Sequence, residues 1–141
     1  MDEKLLMTKF DKLNRKMRRY FDSFFAELPL TGIQALVLQY IIVESENRDI
    51  FTKDLEEFLG IKGPSVTSLI NNLVRSGYLR RESLEEDARY KKLVLTNQAQ
   101  EIKTEIVDKV NEYIKSMYVG ISEEDLKIFE SVIEKMTKNT E

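Results

Sequence analysis

Cysteine and histidine are both absent from this chain of 141 residues. Their absence excludes disulfides, thiol redox sensing, cysteine nucleophiles, Ser-His-Asp triads and metal sites built from histidine or cysteine. A metal site made only of carboxylates stays open, but Asp and Glu residues more often form solvated helix faces. We therefore predict no metal, no cofactor and no enzymatic activity.

Proline and glycine are also scarce, with two and five residues, which favours long regular helices. The chain has no apolar run that approaches a membrane span, and its N-terminus lacks the apolar core of a signal peptide. Hydrophobic residues make up 42% of the chain and charged residues 33%, which is typical of a globular protein. We expect one cytoplasmic domain over residues 1–141, with no membrane partner.

The net charge of −3 is unevenly distributed along the chain. Residues 97–141 carry a net charge of −4, whereas residues 51–96 carry +1. No acidic residue occurs between Gly60 and Arg81. Because a local field matters more to a polyanion than the total charge does, residues 51–96 are the best candidate for contact with a nucleic acid.

The middle of the chain has the pattern of two short helices followed by a β-hairpin with a charged tip. Glycines that follow each helical pattern, Gly60 and Gly77, are typical helix ends. This order is that of a winged helix-turn-helix, in which the second helix lies in a DNA groove. The predicted helices cover residues 52–59 and 64–76, and the predicted strands, residues 78–82 and 90–95, flank a loop at residues 85–89.

Long amphipathic helices are predicted on both sides of this unit. A first helix over residues 5–26 has apolar residues at alternating spacings of four and three, from Leu6 to Phe24. Thr31 and Gln34 form a predicted capping box. The helix that they open has Ile33, Leu36, Val37, Tyr40 and Ile41 at the spacing of one helix face.

Two further helices are predicted after the hairpin, one capped by Thr96 or Asn97 and the other beginning near Ser122. The apolar stripes of the terminal helices, within residues 6–24, 102–117 and 126–136, exceed what one small lobe can cover, so we predict a two-fold homodimer. The expected fold is mainly α, with about six helices and a two-stranded β-wing. Residues 31–96 form the winged helix-turn-helix lobe, and residues 1–28 and 97–141 form the dimerisation helices.

Several segments resemble the MarR (multiple antibiotic resistance regulator) family of bacterial transcription factors, over about residues 28–103. The resemblance rests on segments in family order and spacing: the helix opening at residues 30–38, the helix-turn-helix at 55–67, the join into the wing at 73–81, the wing tip Asp87-x-Arg89, and the wing exit at 93–96.

The resemblance implies a homodimeric winged-helix protein that binds a pseudo-palindromic operator in double-stranded DNA, usually as a repressor. Family members are often released from DNA by a small phenolic or anionic ligand. Cysteine oxidation, which some members use, does not transfer to a chain without cysteine. Ser68 and Asn72 stand where basic residues are common in the family, so base reading by arginine at these two positions is not expected.

The predicted DNA contacts fall into two groups. The outward side of the second helix offers small hydroxyls and amides, which suit phosphates and base edges, although an ordinary solvated face is the alternative. On the wing, Arg89 is the first candidate, with the alternative that it only pairs with Asp87, Glu85 or Glu86 to shape the loop. The full set is Lys62, Ser65, Thr67, Ser68, Asn71, Asn72, Arg75, Arg81, Arg89, Lys91 and Lys92.

Four aromatic residues, Tyr20, Phe24, Phe25 and Tyr40, are candidates for an effector pocket that takes a small aromatic ligand. The alternative for these side chains is plain core packing. At the level of the whole protein, the alternative to a DNA-binding regulator is a MarR-like dimer that acts as a protein-interaction module without sequence-specific DNA binding.

Overall fold

The computed structural model describes residues 2–141, and it consists of six helices and one two-stranded sheet. This is the mainly α winged helix-turn-helix that the sequence predicted. Within the described residues, no helix is both long enough and apolar enough to span a membrane. The elements are α1 Glu3–Ser23, α2 Gly32–Glu44, α3 Thr52–Leu59, α4 Gly63–Arg75, β1 Leu79–Ser83, β2 Lys91–Leu95, α5 Asn97–Met117 and α6 Glu123–Asn139.

The chain divides into two compact units, the first running to Asn111 and the second spanning Glu112–Glu141. The hydrophobic core lies in the first unit and collects side chains from α2, α3, α4, the hairpin and the first part of α5. Its largest fully buried members include Phe25, Leu38, Ile41, Leu55 and Ile70. No buried polar or charged side chain is present among residues 2–141.

Helix α1 ends earlier than the sequence predicted, at Ser23 instead of residue 26. The backbone N–H groups of Phe24 and Phe25 donate to carbonyl oxygens three residues back, at 3.1 Å each. This tightens the last turn and takes the chain off the helical path, and Phe25 is fully buried in the core. No residue of α1 is buried.

Helix α2 begins with the predicted capping box. The Thr31 hydroxyl accepts from the Gln34 backbone N–H, and the Gln34 side chain accepts from the Thr31 N–H at 2.9 Å. The predicted apolar face was partly wrong, because Leu38 and Ile42 are buried whereas Ile33 is 44% exposed. Apolar residues lie on every side of α2, so their spacing does not indicate which face meets the core.

Helices α3 and α4 form the helix-turn-helix. Asp54 in the first turn of α3 accepts from the backbone N–H of Phe51 at 2.8 Å, and α3 ends at Gly60 in the left-handed conformation, with φ of 66°. The buried side of α4 consists of Val66, Ile70 and Leu73. This amphipathic pattern fixes which side of α4 faces outward.

The end of α4 continues directly into the wing. Gly77 adopts a φ of +86°, and the N–H of Tyr78 donates to the carbonyl of Leu73 at 2.9 Å, which completes a Schellman motif. Tyr78 therefore caps the helix instead of starting the strand, and β1 begins one residue later than predicted. Strands β1 and β2 pair antiparallel, and the Leu93 N–H also donates to the Ile50 carbonyl at 2.7 Å.

Helix α6 lies in the second unit. The Ser122 hydroxyl accepts from the Asp125 backbone N–H at 3.0 Å, as an N-cap does. No residue of α6 is buried. Its predicted apolar stripe is exposed to solvent, with Phe129 49% and Ile133 42% exposed.

Candidate nucleic-acid interface

The outward side of α4 is a continuous polar surface. The predicted contact residues on this helix, and Lys62 immediately before it, are all exposed, whereas the apolar residues between them are buried or half-buried. No acidic residue occurs from Ile61 to Arg80. The exposed set is Lys62, Ser65, Thr67, Ser68, Asn71, Asn72 and Arg75. Such a surface offers hydroxyls, amides and cations to a polyanion, with no carboxylate in this segment to repel it.

Two arginines hold the two asparagines of this surface. The Arg81 guanidinium, on β1, donates to the Asn71 side-chain oxygen at 2.7 Å. Arg75, one turn further along α4, donates to the Asn72 side-chain oxygen at 3.1 Å. The first of these bonds links the base of the wing to the outward side of α4, a connection that the sequence did not indicate.

The wing tip is ordered by Asp87 and Arg89. The Asp87 carboxylate accepts from the Arg89 Nε at 3.0 Å, from a terminal guanidinium nitrogen at 2.7 Å and from the Arg89 backbone N–H at 3.0 Å. The side-chain bonds first, and the backbone bond second, hold the pKa of Asp87 below its usual value. The Arg89 side chain is nevertheless 84% exposed, so pairing with Asp87 orients this cation without burying it.

The other basic residues of the wing differ in their surroundings. Lys91 is exposed beside the loop. The Lys92 ammonium lies 3.8 Å from the Asp49 carboxylate, which partly neutralises its charge. Arg80 pairs with Glu82 on its own strand at 2.9 Å. Arg81, Arg89 and Lys91 are therefore the exposed cations of the predicted wing surface. Of these three, only Arg89 pairs with a carboxylate in the described part of the chain, that of Asp87 in the same loop.

The four predicted pocket aromatics pack against other aromatic or core residues. Tyr20 and Phe24 contact each other edge to face, with ring centroids 5.1 Å apart. Phe25 is fully buried in the core, and Tyr40 stacks on Phe58 at 4.2 Å. All four thus take part in packing contacts, and a ligand site among them stays a prediction.

An open cavity of about 230 Å³ lies elsewhere, between the segment after α2, strand β2 and the start of α5. Arg48 stands at its edge and donates to the Tyr40 hydroxyl at 2.7 Å, and its guanidinium lies 3.2 Å from Asp54. This cluster ties the end of α2 to the start of α3. Sequence reasoning missed it, because the three residues have no common helical or strand spacing.

Among the described residues, no cluster of three or more acidic residues could hold a metal ion.

Comparison with known proteins finds similarity to the MarR family. A sequence profile of the MarR family matches residues 28–89, which include α2, the helix-turn-helix and the wing tip. The HTH-type transcriptional regulator PapX of Escherichia coli is 23% identical over 134 residues, covering 95% of this chain and 81% of its own length.

Solved structures of other proteins have a fold similar to that of this chain. The transcription regulator MarR from Oenococcus oeni is similar with a TM-score of 0.84 and 26% identity, over 94% of this chain and 98% of that one. The Staphylococcus aureus MepR–DNA complex is similar with a TM-score of 0.86 and 20% identity, over 96% and 98%. The winged-helix architecture described above therefore recurs over nearly the whole length of these chains.

Proposed function

We propose that the chain, which a sequence profile of the MarR family matches over residues 28–89, is a winged-helix regulator of this family, a cytoplasmic homodimer that represses transcription from a pseudo-palindromic operator. In the proposed complex, α4 lies in the major groove and the wing contacts the adjacent phosphate backbone or minor groove. Two-fold symmetry of the dimer then places two copies of α4 on two half-sites.

The observation that carries this proposal is the exposed side of α4. Ordinary exposed helix faces are rich in Glu and Lys, but this one is built from Ser, Thr and Asn, with Arg75 at its end and no acid. The exposed Arg89 at the wing tip offers a further cation for contact with phosphates. The MepR structure, which has the same fold, was solved as a DNA complex, and this supports the assignment of the surface.

Dimerisation through the terminal helices is supported by their exposed apolar residues. Leu6, Phe10 and Leu13 of α1 are each more than 40% exposed, and α6 exposes a similar stripe. An apolar seam of heptad type on a long helix is typical of a surface that packs on another helix. We expect an interface of the large obligate type, over roughly 2,000 Å².

In this proposal a small aromatic ligand that contacts Tyr20, Phe24, Phe25 and Tyr40 releases the protein from DNA. If a planar aromatic acid such as salicylate binds and weakens DNA affinity, operator DNA must weaken binding of the acid by the same factor. Calorimetry with and without operator DNA tests this reciprocity. If the acid produces no heat of binding either with or without operator DNA, an effector of this class is contradicted.

The experiment that tests the operator is selection of duplexes from a library with a randomised centre, using the purified full-length protein. We expect the selected sequences to form a pseudo-palindrome with half-sites centred roughly 10 base pairs apart. Selection of asymmetric sites only contradicts the two-fold arrangement of the two α4 helices.

The alternative function is a MarR-like dimer that acts on another protein. The specific observation in its favour is that Ser68 and Asn72 occupy exposed positions of α4 where the family commonly has basic residues. Duplex selection separates the two functions, because a protein-interaction module returns no enriched sequence.

A further inference from the structure

The outward side of α4 is more restricted in its hydrogen bonding than its composition suggests. A free asparagine offers both an acceptor and two donors, and this combination pairs with the N6 amino group and N7 of adenine. The two asparagines on this surface are not free, because the side-chain oxygens of Asn71 and Asn72 already accept hydrogen bonds from Arg81 and Arg75.

An arginine guanidinium carries only donors, so it fixes which end of the amide faces it. Both carbonyl oxygens are therefore turned toward a cation, and the Nδ2 groups form the free ends of the amides. Each oxygen keeps a second lone pair, but the neighbouring positive charge opposes approach of the positively polarised hydrogens of an amino group. The amides together with their arginines thus present donors to the DNA.

We propose that Arg81, held across from the wing, and Arg75 convert Asn71 and Asn72 into donor-only groups, so that α4 selects guanine over adenine in its half-site. The major-groove edge of guanine carries two adjacent acceptors, O6 and N7, whereas adenine and cytosine place an amino donor there. In this assignment, which rests on the proposed DNA-binding function, Arg81 is a positioning residue that acts through Asn71.

Strand β1 supplies a matched control for Arg81. Arg80 is its immediate neighbour and is also exposed, but Arg80 pairs with Glu82 and, within the described residues, makes no hydrogen bond to α4. Arg80→Ala and Arg81→Ala remove the same charge at nearly the same place. Only Arg81→Ala releases the oxygen of Asn71.

The test begins with the free protein. In NMR spectra, Arg81→Ala should shift the side-chain amide signals of Asn71, which are identified by their loss in Asn71→Ala, and Arg80→Ala should leave them in place. If both arginine variants leave these signals unchanged, the bond between Arg81 and Asn71 does not form in solution, and the proposal is wrong whatever the DNA binding.

The second step is duplex selection with each variant. We expect the wild type and Arg80→Ala to enrich guanine at the same half-site position, and Arg81→Ala to shift the relative preference about tenfold toward adenine. The double variant Asn71→Ala/Arg81→Ala should lose the adenine preference, because the released amide that reads adenine is gone.

The remaining outcomes separate this proposal from the function on which it rests. A wild type that selects adenine at this position, or an Arg81→Ala variant that binds all duplexes more weakly with unchanged base preference, overturns the role of Arg81 and leaves DNA binding intact. A wild type that binds no duplex overturns the proposed function, and the proposal falls with it even if the NMR shift is present.

Discussion

Helices α1 and α4 both leave one side open, but the two open sides have opposite chemistry. Helix α1 has no buried residue and exposes large apolar side chains such as Leu6 and Phe10. Helix α4 buries Val66, Ile70 and Leu73, and apart from Pro64 in its first turn it exposes polar or basic groups on its outward side.

The comparison shows that exposure alone does not identify a function. An exposed apolar seam is costly in water and indicates a surface that another apolar surface covers. A polar surface without acidic residues carries no such cost, and its composition instead indicates a negatively charged partner. The two helices should therefore respond differently to the same kind of charge substitution.

The largest effect is expected for Phe10→Glu in α1. A carboxylate in the centre of the seam cannot be buried at low cost, so the dimer should dissociate and operator binding should be lost. Lys12→Gln is the matched control, since it changes the net charge by the same amount on the other side of the helix and should remain dimeric. Sedimentation at micromolar concentration measures both. A dimeric Phe10→Glu protein contradicts the assignment of α1 to the interface.

Ser68→Glu in α4 should have the next largest effect, and on DNA binding alone. The new carboxylate faces phosphates, and like-charge contacts of this kind cost several kcal/mol, which corresponds to about 100-fold or more in affinity. The protein should stay dimeric, and its melting temperature should hardly change, because Ser68 is exposed. Ser68→Gln supplies the uncharged control, and equal affinities of the two variants contradict groove contact by α4.

Arg89→Ala at the wing tip should weaken binding to operator and random duplexes alike. If Arg89 contacts the backbone, the salt dependence of affinity should flatten by about one phosphate equivalent. Binding isotherms on two duplexes, with melting curves of the free protein, give the measurement. A sharply lower melting temperature with unchanged binding by the folded fraction makes Arg89 a structural residue instead.

The smallest effect concerns the titration of Asp87. Because hydrogen bonds from Arg89 hold the pKa of Asp87 below its usual value, the pair persists at neutral pH and is lost only as the pH falls through that lowered pKa. Arg89→Ala should raise the pKa of Asp87 toward its usual value, as measured by carboxyl NMR titration. An unchanged pKa contradicts the pairing at the wing tip.

Local signals were sufficient to predict much of the fold. The capping box of Thr31 and Gln34, and the helix ends at Gly60 and Gly77, depend on a few neighbouring residues and can be recognised from spacing alone. The exposure of the outward side of α4 was also predictable. The apolar residues of this amphipathic helix form one stripe, and only one orientation of the helix buries that stripe.

Tertiary placement explains what the sequence did not predict. The buried face of α2 depends on where its neighbours lie, because apolar residues surround that helix. The bond between Arg81 and Asn71 joins a strand to a helix across ten positions, and the Arg48 cluster joins two helices. Long polar side chains such as these find partners only once the backbone is folded, so no periodicity records them.

Affinity for duplex DNA measured against salt concentration tests the central claim most directly. If α4 and the wing of a two-fold dimer contact about six to ten phosphates, affinity should fall about 10³- to 10⁵-fold between 50 and 200 mM salt. It should fall in the same way for random duplexes, but from a lower starting affinity. No measurable binding at low salt, or an affinity that is independent of salt, contradicts the assignment of this surface to DNA.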